Sequence, residues 1–67
     1  MHEPDRLLTP GELASRLVIT TKTLEKWRQL GVGPIWTKVG SRVRYALVDV
    51  ETWQAQQRRG TTREAGR

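Results

Sequence analysis

In TTKTLEKWRQL, residues 20–30, six polar and charged residues surround an apolar stripe. If the stripe packs inward, these six face outward and could form hydrogen bonds with a ligand. They are Thr21, Lys22, Glu25, Lys26, Arg28 and Gln29. Lysine and arginine can donate to guanine, glutamine can pair with adenine, and glutamate can accept from the amino group of cytosine. These residue types predict contact with base edges. The alternative is a solvated helix face, which the repulsive i, i+4 pair of Lys22 and Lys26 makes less favourable.

Four more polar residues follow further along the chain. They are Lys38, Ser41, Arg42 and Arg44. The cations among them could anchor phosphates and release counterions from DNA. Lysine and arginine on an exposed hairpin also discourage pairing with other strands. We favour contact with phosphates or a minor groove, because these residues follow two short predicted helices.

The positive charge of the chain is unevenly distributed. The 67 residues include 12 Lys and Arg against 7 Asp and Glu, a net charge of +5. Residues 20–45 contain six of the cations and a single acid, Glu25, and residues 58–67 contain four arginines. Such a balance suggests a nucleic acid, an acidic protein or a membrane surface as partner.

Enzymatic chemistry has no support in the sequence. The chain has no cysteine, and its single histidine, His2, lies near the N-terminus, so disulfides and a Cys/His zinc site are excluded. Ser15 and Ser41 have no nearby base, and GVGP (31–34) is typical of a connector rather than a phosphate-binding loop. We expect no catalytic residue, no metal and no cofactor.

No targeting segment is predicted. No apolar run approaches the ~20 residues that a membrane helix needs. The segment MHEPDRLLTP lacks the basic region and apolar core of a signal peptide. We therefore expect a cytoplasmic protein.

The first helix has a strong start signal in TPGE. Thr9 can cap the helix, Pro10 suits the first helical position, and Glu12 completes a capping box. The helix should end near Leu17, because the β-branched run VITT that follows favours a turn.

A second helix follows the turn. Thr20 or Thr21 can cap it, and Gly31 is a natural residue just beyond its last helical position, Leu30. Its predicted apolar face consists of Leu24, Trp27 and Leu30.

A hairpin and a third helix complete the predicted elements. Alternation of apolar and polar residues on both sides of Gly40-Ser41 predicts strands over 35–39 and 42–46. Asp49 can cap the third helix. The inward face of that helix is expected to hold Val50, Trp53 and Gln57.

The element order is therefore α-α-β-β-α, a mainly helical winged helix-turn-helix with a β-hairpin. We place the domain at residues 7–58, between a disordered N-terminus at 1–6 and a basic disordered tail at 59–67. The tail either is an inert solubilising end or contacts phosphates or a protein partner.

Four segments resemble the small excisionase-type, AlpA-like helix-turn-helix proteins, which are relatives of the MerR DNA-binding domain. These segments are LTPGELASRL, TLEKW, GPIWTKVGSRVRY and DVETW. The resemblance spans roughly residues 7–57. The chain departs from the family at Val48, where a polar residue usually precedes the aspartate, and at Ser41, where the hairpin tip is often arginine.

The resemblance implies a winged helix whose second helix enters a major groove of double-stranded DNA and whose wing touches the neighbouring minor groove or backbone. Members act as recombination directionality factors in phages and integrated elements of bacteria, or as small transcriptional regulators. Directionality factors bind repeated sites beside an attachment site, often cooperatively. They bend the DNA and help a tyrosine integrase to excise the element.

Several alternatives stay open at the level of sequence. Glu25 either reads a base or pairs with Arg28 or Gln29. The tryptophans could stack on single-stranded nucleic acid, but helical spacing favours core positions for Trp27 and Trp53, whereas Trp36 is a partly exposed candidate. For the whole chain, the main expectation is an excisionase. A transcriptional regulator and a protein-interaction adaptor are the alternatives.

Overall fold

The computed structural model describes the backbone of residues 6–65 and the side chains of residues 6–58. Its elements are β1 (Leu7–Leu8), α1 (Pro10–Leu17), α2 (Thr21–Leu30), β2 (Thr37–Val39), β3 (Arg42–Ala46) and α3 (Leu47–Ala65). The predicted winged helix-turn-helix order is confirmed, with one additional strand, β1, before α1. The predicted disordered N-terminus lies outside the described residues, apart from Arg6.

The start of α1 is the capping box that the sequence predicts. The Thr9 hydroxyl accepts from the Glu12 backbone N–H at 3.1 Å, and the Glu12 carboxylate accepts from the Thr9 N–H at 2.9 Å. Arg6 forms an ion pair with Glu12 at 3.5 Å. The hydrogen bond from the Thr9 backbone, followed by the charges of Arg6 and Arg44, lowers the pKa of the Glu12 carboxyl.

The connection between α1 and α2 is a tight turn at Val18. This residue has a left-handed backbone (φ 58°), and its side chain is 88% exposed. The Ile19 N–H donates to the Ala14 carbonyl at 2.9 Å. Thr20 is the residue that caps α2, because its hydroxyl accepts from the Thr23 N–H at 3.1 Å. The turn thereby places α2 directly after α1.

The sheet has the strand order β1-β3-β2 and is antiparallel throughout. Thr37 pairs with Arg44 and Val39 with Arg42 around the predicted Gly40-Ser41 turn. The first hairpin strand is shorter than the predicted 35–39, because pairing with β3 begins only at Thr37. Pro34, in the preceding loop, is buried, whereas Ile35 and Trp36 are exposed and outside the strand.

β1 was missed because two residues are too short to carry an alternating pattern. Leu7 pairs with Ala46 and Leu8 with Tyr45. Immediately after this pairing, the Leu47 N–H donates to the Arg6 carbonyl at 2.8 Å.

The predicted cap of the third helix was wrong. The helix α3 begins at Leu47, and Asp49 lies inside its first turn, where a carboxylate is favoured by the helix dipole. A side-chain cap at Asp49 is unnecessary, since the Arg6 carbonyl already satisfies the first N–H. The helix continues to Ala65, so its backbone extends into the segment predicted as a basic disordered tail. The domain end near residue 58 and the disorder of residues 59–67 stay predictions.

The core lies between α1, α2, the sheet and the start of α3. Its buried residues are Leu8, Leu13, Ala14, Leu24, Tyr45, Leu47 and Val50. Trp27 packs against this cluster and lies 5.6 Å from Trp53, measured between ring centroids. Two residues predicted to face inward do not: Leu30 is 64% exposed at the last turn of α2, and Gln57 is exposed because α3 has left the core by that point.

Among the described residues, no helix is both long enough and apolar enough to cross a membrane.

Candidate nucleic-acid interface

The outer face of α2 carries a continuous polar stripe. Lys22, Glu25, Lys26 and Gln29 are spaced at i, i+3, i+4 and i+7, so they share one side of the helix. All four are exposed and line an open groove of about 560 Å³. The spacing therefore presents two cations, a carboxylate and an amide to one ligand.

The opposite face of α2 fixes the position of this stripe. Leu24 is fully buried, and Trp27 is held between the core and Trp53. With one face packed and the other exposed, the polar stripe cannot rotate away without breaking the core.

Most of the predicted site residues are available for binding. Within residues 6–58, eight of the ten make no hydrogen bond and no ion pair through their side chains. They are Thr21, Lys22, Glu25, Lys26, Gln29, Lys38, Ser41 and Arg42. Their donors and acceptors face solvent and could exchange water for a ligand at little cost. No group of acidic, histidine or cysteine side chains in the described residues could hold a metal ion.

Arg28 differs from its neighbours on α2. Its Nη1 donates to the hydroxyl of the buried Tyr45 at 2.7 Å, and its guanidinium carbon lies 5.9 Å from the centroid of the Trp36 ring. The side chain is half-buried. Arg28 therefore joins α2 to the hairpin, while its predicted DNA contact stays a prediction.

The hairpin residues predicted to bind DNA are divided between two faces. The register places Arg42 and Arg44 on the side of Thr37, whereas Lys38 shares the opposite side with Val43. Arg44 is also half-buried: its Nη1 donates to the Val43 carbonyl at 2.7 Å. Lys38 and Arg42 therefore lie on opposite faces of the hairpin.

Two groove residues were missed by the sequence reasoning. Thr20 and Thr23 line the groove together with the polar stripe. Their hydroxyl oxygens lie 3.0 Å apart, and Thr20 also caps the helix. The position of Thr20 as the cap of α2 could have indicated this, because side chains at the start of a helix lie next to any anion bound there.

A comparison with known families fits this geometry. A family model described as a helix-turn-helix domain matches residues 7–58. The match includes α1, α2, the hairpin and the start of α3. No curated protein shows significant similarity to the chain.

Proposed function

The chain belongs to the helix-turn-helix domain family, a DNA-binding fold, and from this premise we propose that it binds double-stranded DNA sequence-specifically. In this proposal α2 lies in a major groove and its polar stripe contacts base edges. The hairpin lies along the neighbouring backbone or minor groove, with Lys38, Ser41 and Arg42 at its tip. The observation that carries the proposal is the unpartnered stripe on α2, held outward by a packed inner face.

Within this class we propose the role of an excisionase. The protein would bind repeated sites near an attachment site, bend the DNA and direct excision by a tyrosine integrase, which performs the chemistry. The support is the resemblance of the segments LTPGELASRL, TLEKW, GPIWTKVGSRVRY and DVETW to excisionase-type proteins. The size of the reading surface also fits: one short helix contacts few base pairs, so useful affinity requires several copies, associating cooperatively on neighbouring sites.

The test is a gel-shift titration on the DNA that flanks the gene of this protein, with a scrambled fragment of equal length as control. A ladder of cooperatively filled complexes on the native fragment alone is the expected result. A single discrete complex would favour a transcriptional regulator that uses the same surface. Equal smearing on both fragments would contradict sequence-specific binding and favour a protein partner for the basic face.

A further inference from the structure

We infer that Glu25 reads the cytosine of a C·G base pair through its carboxylate, an inference that rests on the proposed binding of double-stranded DNA. Glu25 is exposed in the middle of the α2 groove, between Lys22 and Lys26. It makes no hydrogen bond and no ion pair with any residue in the described part of the chain. A carboxylate in this position would be repelled by DNA phosphates, so its presence requires a compensating contact.

The two internal partners that the sequence allowed for Glu25 are not used. Arg28, three residues along the helix, is held by the Tyr45 hydroxyl and lies over Trp36. Gln29, four residues along, lines the same groove without a hydrogen bond to Glu25. The carboxylate is therefore free to accept from the ligand.

The chemistry of the base edges selects cytosine. In the major groove, guanine presents two acceptors, thymine presents the O4 acceptor beside its methyl group, and adenine presents N7 next to its amino group. Each of these places an acceptor near a carboxylate, which is also only an acceptor. Cytosine is the only base whose own major-groove edge presents a donor, the N4 amino group, and no acceptor.

The experiment selects binding sites from a randomised duplex pool with the full chain and, in parallel, with the Glu25→Ala and Glu25→Gln variants. Position 25 is exposed, so neither replacement should disturb the core, and thermal unfolding checks that each variant is folded. For the unmodified protein we expect one invariant C·G pair whose replacement weakens binding by about 10- to 100-fold. The Ala variant should lose that preference and keep the others.

Two further readouts separate base reading from a general charge effect. Glu25→Gln should move the preference at that pair toward A·T, because an amide matches the adenine edge. Both variants should bind scrambled DNA more tightly than the unmodified protein does, because a repulsive charge is removed. Glu51→Gln removes the same charge from α3, outside the groove, and should leave the selected sequence unchanged once thermal unfolding shows that this variant is folded.

A modified base tests the contact directly. N4-methylcytosine at the selected position keeps the base pair but replaces the amino hydrogen in the major groove with a methyl group. It should therefore weaken binding by the unmodified protein and leave binding by Glu25→Ala unchanged. If the unmodified protein selects a site and Glu25→Ala selects the same one, the role of Glu25 is wrong while the proposed function stands. If the unmodified protein selects no sequence, both are wrong.

Discussion

Gly33 shows how a single residue determines the path from α2 to the hairpin. Its backbone is left-handed (φ 85°), and a Cβ atom added there would lie 2.8 Å from Cε3 of Trp27. Gly31 is also left-handed (φ 74°), but a Cβ added at that position would meet nothing within 4 Å. A substitution at Gly31 therefore adds backbone strain alone, whereas one at Gly33 adds backbone strain and steric overlap with Trp27.

We predict that Gly33→Ala lowers the free energy of unfolding by about 2–4 kcal/mol, because it adds overpacking against Trp27 to the cost of a left-handed alanine. Gly31→Ala, the control, should cost only about 1 kcal/mol. Urea unfolding followed by tryptophan fluorescence measures both values. Equal losses for the two variants would show that contact between the added Cβ at position 33 and Trp27 does not contribute to the destabilisation.

At the scale of elements, side-chain bonds hold the start of α1 and join α2 to the hairpin. The capping box at Thr9 and Glu12 involves residues three positions apart. The bond between Arg28 and Tyr45 joins α2 to β3 across a longer stretch of chain. These contacts set where the helices begin and how the hairpin lies against α2.

The capping box predicts a dependence of stability on pH. Because folding lowers the pKa of Glu12, the ionised carboxylate stabilises the fold above its ordinary pKa, and this contribution is lost as the pH falls through the lowered value. Glu12→Gln can still cap the helix but cannot ionise. The stability difference between the two proteins should shrink between neutral pH and about pH 3 in urea unfolding. A constant difference over this range would contradict the assignment.

The bond between α2 and the hairpin is tested by removing the Tyr45 hydroxyl. Tyr45→Phe should lower the free energy of unfolding by about 1–2 kcal/mol, because Arg28 loses a charge-assisted acceptor in a half-buried position. A double-mutant cycle with Arg28→Ala, measured by thermal unfolding, should give a coupling energy of about 1 kcal/mol. Additive losses would mean that the two side chains do not stabilise each other.

For the whole molecule, the different side chains on α2 and at the hairpin tip predict two kinds of DNA contact. The α2 stripe offers side chains of the types that can distinguish bases, whereas Arg42 beside the tip offers an exposed positive charge. Affinity and specificity should therefore respond to different mutations.

We predict that Arg42→Ala weakens binding to all sequences alike and reduces the slope of log K against log salt concentration by about 1, the loss of one phosphate contact. Lys22→Ala should instead change which sequence is preferred. Arg16→Ala, which removes a cation from α1 where it bonds to Gln54, is the control and should leave the slope unchanged. Fluorescence anisotropy over a salt series measures all three, and an altered sequence preference for Arg42→Ala would overturn the phosphate assignment.

The sequence by itself determined the elements whose signals are local. The capping box, the Gly31 helix end and the Gly40-Ser41 turn each depend on residues within a few positions of one another, so the sequence alone predicts them. The sequence also located six polar residues around the apolar face of α2, and four of them, Lys22, Glu25, Lys26 and Gln29, form the polar stripe because helical geometry places them on one side.

The tertiary structure decided what depends on distant parts of the chain. Pairing of β1 with β3 and the bond from Leu47 to Arg6 moved the start of α3 before Asp49. The strand register places Lys38 and Arg42 on opposite faces of the hairpin. Arg28 donates to the Tyr45 hydroxyl instead of pairing with Glu25. Such contacts form only after folding brings remote residues together, and no periodicity within either segment encodes them.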